Sequence, residues 1–163
     1  MAKTDMFLKL DGIEGESLDD KYKDWIEVHH WAWGVHQAHT AHTGAGRGHS
    51  KASFSEISCS ADLSKSGPKL FKACAKGEHI KKGKLVVRKA GGDPLDYFVI
   101  EMDDVIVTGV QWNGNGAAGH SQVSENLSLS FAKFKLKYQL QGEKGAGQGN
   151  VDWGFSIVEH KDA

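Results

Sequence analysis

Between residues 127 and 140 the chain reads LSLSFAKFKLKYQL. Leu127, Leu129 and Phe131 share one parity, and Phe134, Leu136, Tyr138 and Leu140 share the other. Successive side chains of a strand alternate between faces, so this is a long half-buried strand whose phase shifts once, near Ala132 and Lys133, as a β-bulge would do. DYFVIEMDDVIVTGVQW, from Asp96, reads as a second long strand. There Phe98, Ile100, Met102, Ile106, Val110 and Trp112 share one face, and Glu101 and Asp103 lie opposite. Shorter strand candidates lie at 6–10, 24–37, 53–59, 84–90 and 151–159. Glycine-rich stretches at 44–48, 114–119 and 142–149 separate several of them. Seven or more strands joined by such turns predict a mainly β chain, either a sandwich or an antiparallel two-sheet barrel, since closure removes exposed edges.

One segment departs from the period of two. SKSGPKLFKACAKGEH, from Ser64, has Ser66 or Gly67 in capping position, Pro68 where a first helical residue tolerates it, and Gly77 as a stop. Leu70, Phe71 and Cys74 are expected on its apolar face. A single short helix flanking the barrel follows.

At 163 residues and 39% hydrophobic content, one domain spanning 1–163 is the default. A formal charge of -1 gives no global field to attract nucleic acid or an anionic membrane. The apolar runs fall far short of the roughly twenty residues that a membrane helix needs. The first residues lack the apolar stretch of a secretory signal. Two cysteines, Cys59 and Cys74, read as small apolar fillers rather than a disulfide framework.

Residues 29–49 read HHWAWGVHQAHTAHTGAGRGH and hold six of the nine histidines. His36, His39 and His42 would share a face of a helix. The alternation of Trp31, Trp33 and Val35 instead describes a strand entering a loop, and no local cysteine or carboxylate completes a metal shell. The favoured reading is exposed loop histidines, with a resident metal or a proton switch as the sharper alternatives. GAGRGHSK lacks the ending of a phosphate loop, and no βαβ unit supports a dinucleotide site. Pairs such as His120 with Ser121, or Cys74 with His79, sit in no recognisable nucleophile signature, so no enzyme and no cofactor are expected. Lys133, Lys135 and Lys137 form a basic row that faces either water or acids of another subunit.

Six stretches, in order, give a resemblance over nearly the whole chain. They are DMFLKLDGIEGES, WAWGV, LSKSGPKLFKACAKGEHI, KLVVRKAGGDPLDYFVIEMDDVIVTGV, SENLSLSFAKFKLKYQ and WGFSI. The chain resembles the haemolysin-coregulated (Hcp) proteins, tube subunits of the bacterial type VI secretion system. The resemblance implies a homo-hexameric ring that stacks into tubes inside a contractile sheath, tipped by a VgrG-like spike protein, with small effector proteins carried in the lumen. It also implies a protein that is cytoplasmic before assembly and then leaves the cell without a signal peptide, binding no nucleic acid and inserting in no membrane.

In that family the loop after WAWGV is an interface loop. That assigns His36, His39, His42, Gly44, Gly46, Arg47, Gly48 and His49 to contacts between subunits or rings, although histidine is not the residue type expected there. With Trp31 and Trp33 turned into the core, His30, Ala32 and Gly34 form a candidate lumen face. The rival reading is a monomeric barrel that binds a small apolar ligand or a metal.

Overall fold

The computed structural model describes residues 5–38, 51–89, 94–117, 122–141 and 147–163. In chain order the strands are β1 (Met6–Leu10), β2 (Ile26–Glu27), β3 (His30–Ala32), β4 (Val35–His36), β5 (Ser53–Phe54) and β6 (Ile57–Asp62). Helix α1 (Ser66–Lys76) follows, then β7 (His79–Lys89), β8 (Leu95–Gly114), β9 (Val123–Gln141), β10 (Gly147–Ser156) and β11 (Lys161–Asp162). Every pairing is antiparallel.

The main sheet runs β11-β10-β9-β8-β7-β1-β2, and β6 joins β9 to β3. It almost returns on itself through residues 26–32. β2 pairs β1, the His29 N–H donates to the Ser60 carbonyl at 2.8 Å, and β3 pairs β6. The ring of strands is interrupted where this segment passes from one partner to the next. The barrel is therefore not closed by a continuous ladder, a departure from the closed form expected. It also explains why the single strand expected over 24–37 is three short pieces: each pairs with a different neighbour.

The phase shift in β9 is present, with a different cause. Phe131 and Phe134 are both buried, and so are Val105 and Met102 across from them. The β8–β9 register is unchanged through this point, so no bulge lies at Ala132. Instead Asp104 takes a left-handed backbone conformation, φ 53°, and both strands turn their buried faces together. Consequently Val105 and Val107, rather than Ile106, enter the core. A register shift does occur further on, between Val107 and Gly109, and it brings Val110 back against the core. The turn lets the two halves of one sheet face each other over a shared core that includes Leu8, Ile57, Ile100, Leu129 and Phe134.

Helix α1 ends as expected at Gly77, which is left-handed (φ 61°) and donates its N–H to Ala73 and Cys74 carbonyls. Its start differs: Lys65 is the cap residue, and it makes no side-chain capping bond. The buried face carries Ser66, Gly67, Leu70 and Ala73, whereas Phe71 is half exposed and stacks on Trp112 at 4.7 Å.

Candidate assembly surface

β10 lies against β9 from Asn150↔Gln139 to Ser156↔Lys133. Its other side meets β11 only at Phe155 and Ser156, with one further bond from the Ala163 N–H to the Gly154 carbonyl. Among the described residues, no strand covers Gly147 to Trp153 on that side. Val151, Trp153 and Phe155 share the face of Tyr138, Leu136 and Phe134. Phe134 is buried, Leu136 partly so, and Tyr138 and Leu140 are exposed, so the apolar face of the core continues outward into solvent. Val151 is 63% and Trp153 45% exposed. The Trp153 indole N–H already donates to Asp162 at 3.0 Å, which leaves its carbon surface outward. An open edge flanked by exposed apolar side chains is what a sheet presents to another chain.

A second surface follows from Trp31 and Trp33. Trp31 stacks on Phe98 at 5.9 Å, and Trp33 meets Phe134 edge-on at 4.9 Å while its indole N–H donates to the Ser55 carbonyl. With both indoles inward, His30, Ala32 and Gly34 are exposed on the other side, following the parity expected for this stretch. Beyond them Val35 and His36 pair with Phe54 and Ser53 as a separate two-stranded sheet, and the His36 side chain is exposed. His39, His42, Gly44, Gly46, Arg47, Gly48 and His49 lie outside the described residues.

Two of the described histidines contact carboxylates, at separate places rather than in one centre. His29 Nε2 is 2.9 Å from Asp62, and His79 Nδ1 is 2.6 Å from Asp104. Among the described residues no three histidine, cysteine or carboxylate side chains converge as metal ligands. The Cys59 thiol is buried and pushed up to about 12 by desolvation, which makes it a poor nucleophile.

Residues 7–138 match the family model for the type VI secretion system effector Hcp. The chain belongs to the Hcp family. It is 36% identical over 161 residues to the Hcp1 protein of Pseudomonas aeruginosa, covering 98% of both chains. Hcp1 from Salmonella typhimurium is similar at 37% identity, with a TM-score of 0.80 and 98% of each chain covered. A type VI secretion system effector from Yersinia pestis is 34% identical, with a TM-score of 0.75, over 94% of this chain and all of that one. A further type six secretion system protein superposes with a TM-score of 0.91 at 27% identity, over 99% of this chain and 100% of that one. No helix among the described residues of this Hcp is long and apolar enough to cross a membrane.

Within this Hcp one member of the lysine row, Lys137, and both acids expected opposite it find partners in their own chain. Lys137 pairs with Glu101 at 2.8 Å, and Asp103 is taken by Lys82 at 2.5 Å, each pairing raising its lysine's pKa. Lys133 and Lys135 remain exposed.

Two buried polar centres escaped the sequence reading. Arg88 holds Asp19 with two bonds, 3.2 and 2.7 Å, and both side chains are nearly buried. Asp19 also accepts the Lys21 and Tyr22 N–H groups, while the Tyr22 hydroxyl donates to Asp96. Burial and the Asp96 carboxylate push the Tyr22 hydroxyl well above its ordinary range. The second centre is Glu125, fully buried, which accepts the Trp112 indole N–H at 2.6 Å. Desolvation raises its pKa, and that hydrogen bond opposes the rise. Parity was the available signal: Glu125 shares a face with Leu127 and Leu129, directly opposite Trp112.

Proposed function

We propose that this Hcp is a structural tube subunit: one domain spanning 1–163 that forms hexameric rings, which stack into a secreted tube and carry small effector proteins in the lumen. The observation that carries this reading is the open apolar edge of β10, which a solitary domain would leave exposed. A head-to-tail contact made at such an edge closes into a ring when its rotation allows. The role is mechanical rather than enzymatic. The protein is held in the cytoplasm until assembly and exported with the tube. A contractile sheath around the tube and a VgrG-like spike at its tip are its expected partners, and the loop from His36 to His49 is assigned to contacts between subunits and rings.

The edge supplies the test. Val151→Lys/Trp153→Lys places charge on the open edge; because it also removes the Trp153 contacts with Phe134 and Phe155 and its bond to Asp162, it should cost about 1–3 kcal/mol of unfolding free energy while leaving the chain folded. The same variant should lose the assembled species in light scattering. An assembly identical to the wild type would remove the edge from the account.

The lumen assignment rests on His30, Ala32 and Gly34, small or polar residues that leave room beside them. Ala32→Arg should preserve the rings and abolish retention of a co-expressed effector. Undiminished effector recovery with the variant ring would contradict the assignment.

A further inference from the structure

Residues 13–20 alternate like a strand: Ile13, Gly15, Ser17 and Asp19 are buried, whereas Glu14, Glu16, Leu18 and Asp20 face solvent. The backbone is pinned. Ser17 donates its N–H to the Trp25 carbonyl and accepts from Asp24, and Arg88 clamps Asp19 from beneath. At Gly15 a Cβ would come within 2.7 Å of Ile26 Cα, so the ridge lies directly on the next segment. On this fixed support Leu18 is 89% exposed, with a carboxylate two residues to either side.

Helix α1 has the opposite character. Lys65, Lys69, Lys72 and Lys76 recur at spacings of four, three and four, which sets them in one stripe, and no acid lies between Lys65 and Gly77. Lys65 meets Glu14 and Asp24 of its own chain at 3.5 and 3.8 Å. Lys69, Lys72 and Lys76 have no ion pair among the described residues. Beside the stripe Pro68 and Ala75 are exposed, and beyond them Phe71 stacks on Trp112. Because the Trp112 N–H is turned inward to Glu125, this pair shows carbon to the solvent.

The two surfaces are complementary in charge, in apolar content and in length. The lysines left unpaired among the described residues, Lys69 to Lys76, span about 10 Å of helix, and Glu16 to Asp20 span about 13 Å of ridge. Within one chain only the start of the ridge comes near the stripe: Lys65 pairs with Glu14, and Ile13 and Glu14 line a groove with Lys69. Leu18 lies instead in a groove with Asp20, Arg88 and Pro94. We propose that the ridge of one copy docks on α1 of a second copy, with Leu18 over Pro68, Phe71 and Ala75, and with Glu16 and Asp20 against Lys69 and Lys72. The two faces differ, so the contact is heterologous and passes from copy to copy. It rests on the assembly reading above and specifies one of its contacts.

The test is a photo-crosslinker at position 18, Leu18→benzoylphenylalanine, in a mixture of isotopically light and heavy full-length chains, read by mass spectrometry. Light-to-heavy crosslinks should map to residues 68–75. Glu16→Lys/Asp20→Lys in the same background should lower their yield by about tenfold or more, and mixing that chain with Lys69→Glu/Lys72→Glu should restore it. Assembled particles with no crosslink to α1, or a yield indifferent to charge reversal, would overturn this contact and leave the assembly reading standing. A chain that stays monomeric and gives no light-to-heavy crosslink would remove both.

Discussion

Asp19→Ala lowers the unfolding free energy by about 3–5 kcal/mol at neutral pH, because it strands a nearly buried guanidinium. Arg88 would keep only Asp5, at 3.4 Å, and its stacking over Phe7 and Tyr22 at 5.1 and 5.7 Å. Against a total stability of roughly 5–15 kcal/mol, a loss of that size changes the folded fraction visibly. The residues released are those of the ridge, since the Lys21 and Tyr22 N–H groups lose their acceptor as well. Urea unfolding of both chains measures the difference. A loss below about 1 kcal/mol, the range of exposed ion pairs, would show that the pair is solvated in solution.

The same pair sets an acid limit. The Arg88 hydrogen bonds hold the Asp19 carboxyl down, from 3.8 to about 2. A carboxylate whose folded pKa lies below its unfolded value contributes its stability above the unfolded pKa and loses it as pH falls through the folded one. The contribution, about 2 kcal/mol, is therefore complete above about pH 5 and fades between about pH 4 and pH 2. The gap between the wild type and Asp19→Ala should narrow by that amount over this window. A gap constant from neutral pH to about pH 2 would contradict the assignment of that contribution to Asp19.

Phe134→Ala costs a comparable 3–5 kcal/mol, for an apolar reason. Phe134 is 2% exposed and meets Trp33, Phe54, Phe131, Trp153 and Phe155, with ring centroids 4.9 to 6.2 Å away. Removing the ring leaves a cavity and also releases edge-to-face contacts worth about 0.5–1.5 kcal/mol each. Two of those neighbours lie at the surfaces proposed for assembly: Trp33 sets the parity of the His30–Gly34 face, and Trp153 stands on the open edge. The variant should therefore show altered tryptophan emission and weakened assembly even where it remains folded. Phe134→Leu, which keeps most of the volume, should recover part of the loss. Equal stability of the wild type and the alanine variant would mean that the aromatic cluster is not packed as described.

These two sites also mark where sequence reading succeeds and where it stops. Alternation in β9 showed its long run and the face change at Ala132, because Leu, Phe and Tyr recur there with period two. Its cause was invisible: a change of face reads the same whether a residue is inserted or Asp104 turns left-handed. The ridge was missed because its buried parity consists of Ile13, Gly15, Ser17 and Asp19. Close backbone approach demands a small residue at Gly15, and a buried carboxylate at Asp19 needs a partner 69 residues away at Arg88. Hydrophobic periodicity reports neither requirement. On α1 the expected face included Phe71, which helical spacing allows, but the Glu125–Trp112 pair behind the helix draws Phe71 outward onto an indole. The outward direction of His30, Ala32 and Gly34 was legible from Trp31 and Trp33 alone, since two inward indoles fix the direction of the residues between them. The open edge of β10 was not, because an exposed Val151 reads like any strand residue until its neighbours are known.

The most direct test of the central claim is native mass spectrometry of the full chain at rising concentration, with negative-stain images of the same samples. The account predicts a six-subunit species, ring-shaped in the images, that Val151→Lys/Trp153→Lys abolishes. A monomer at every concentration, with no rings, would contradict it.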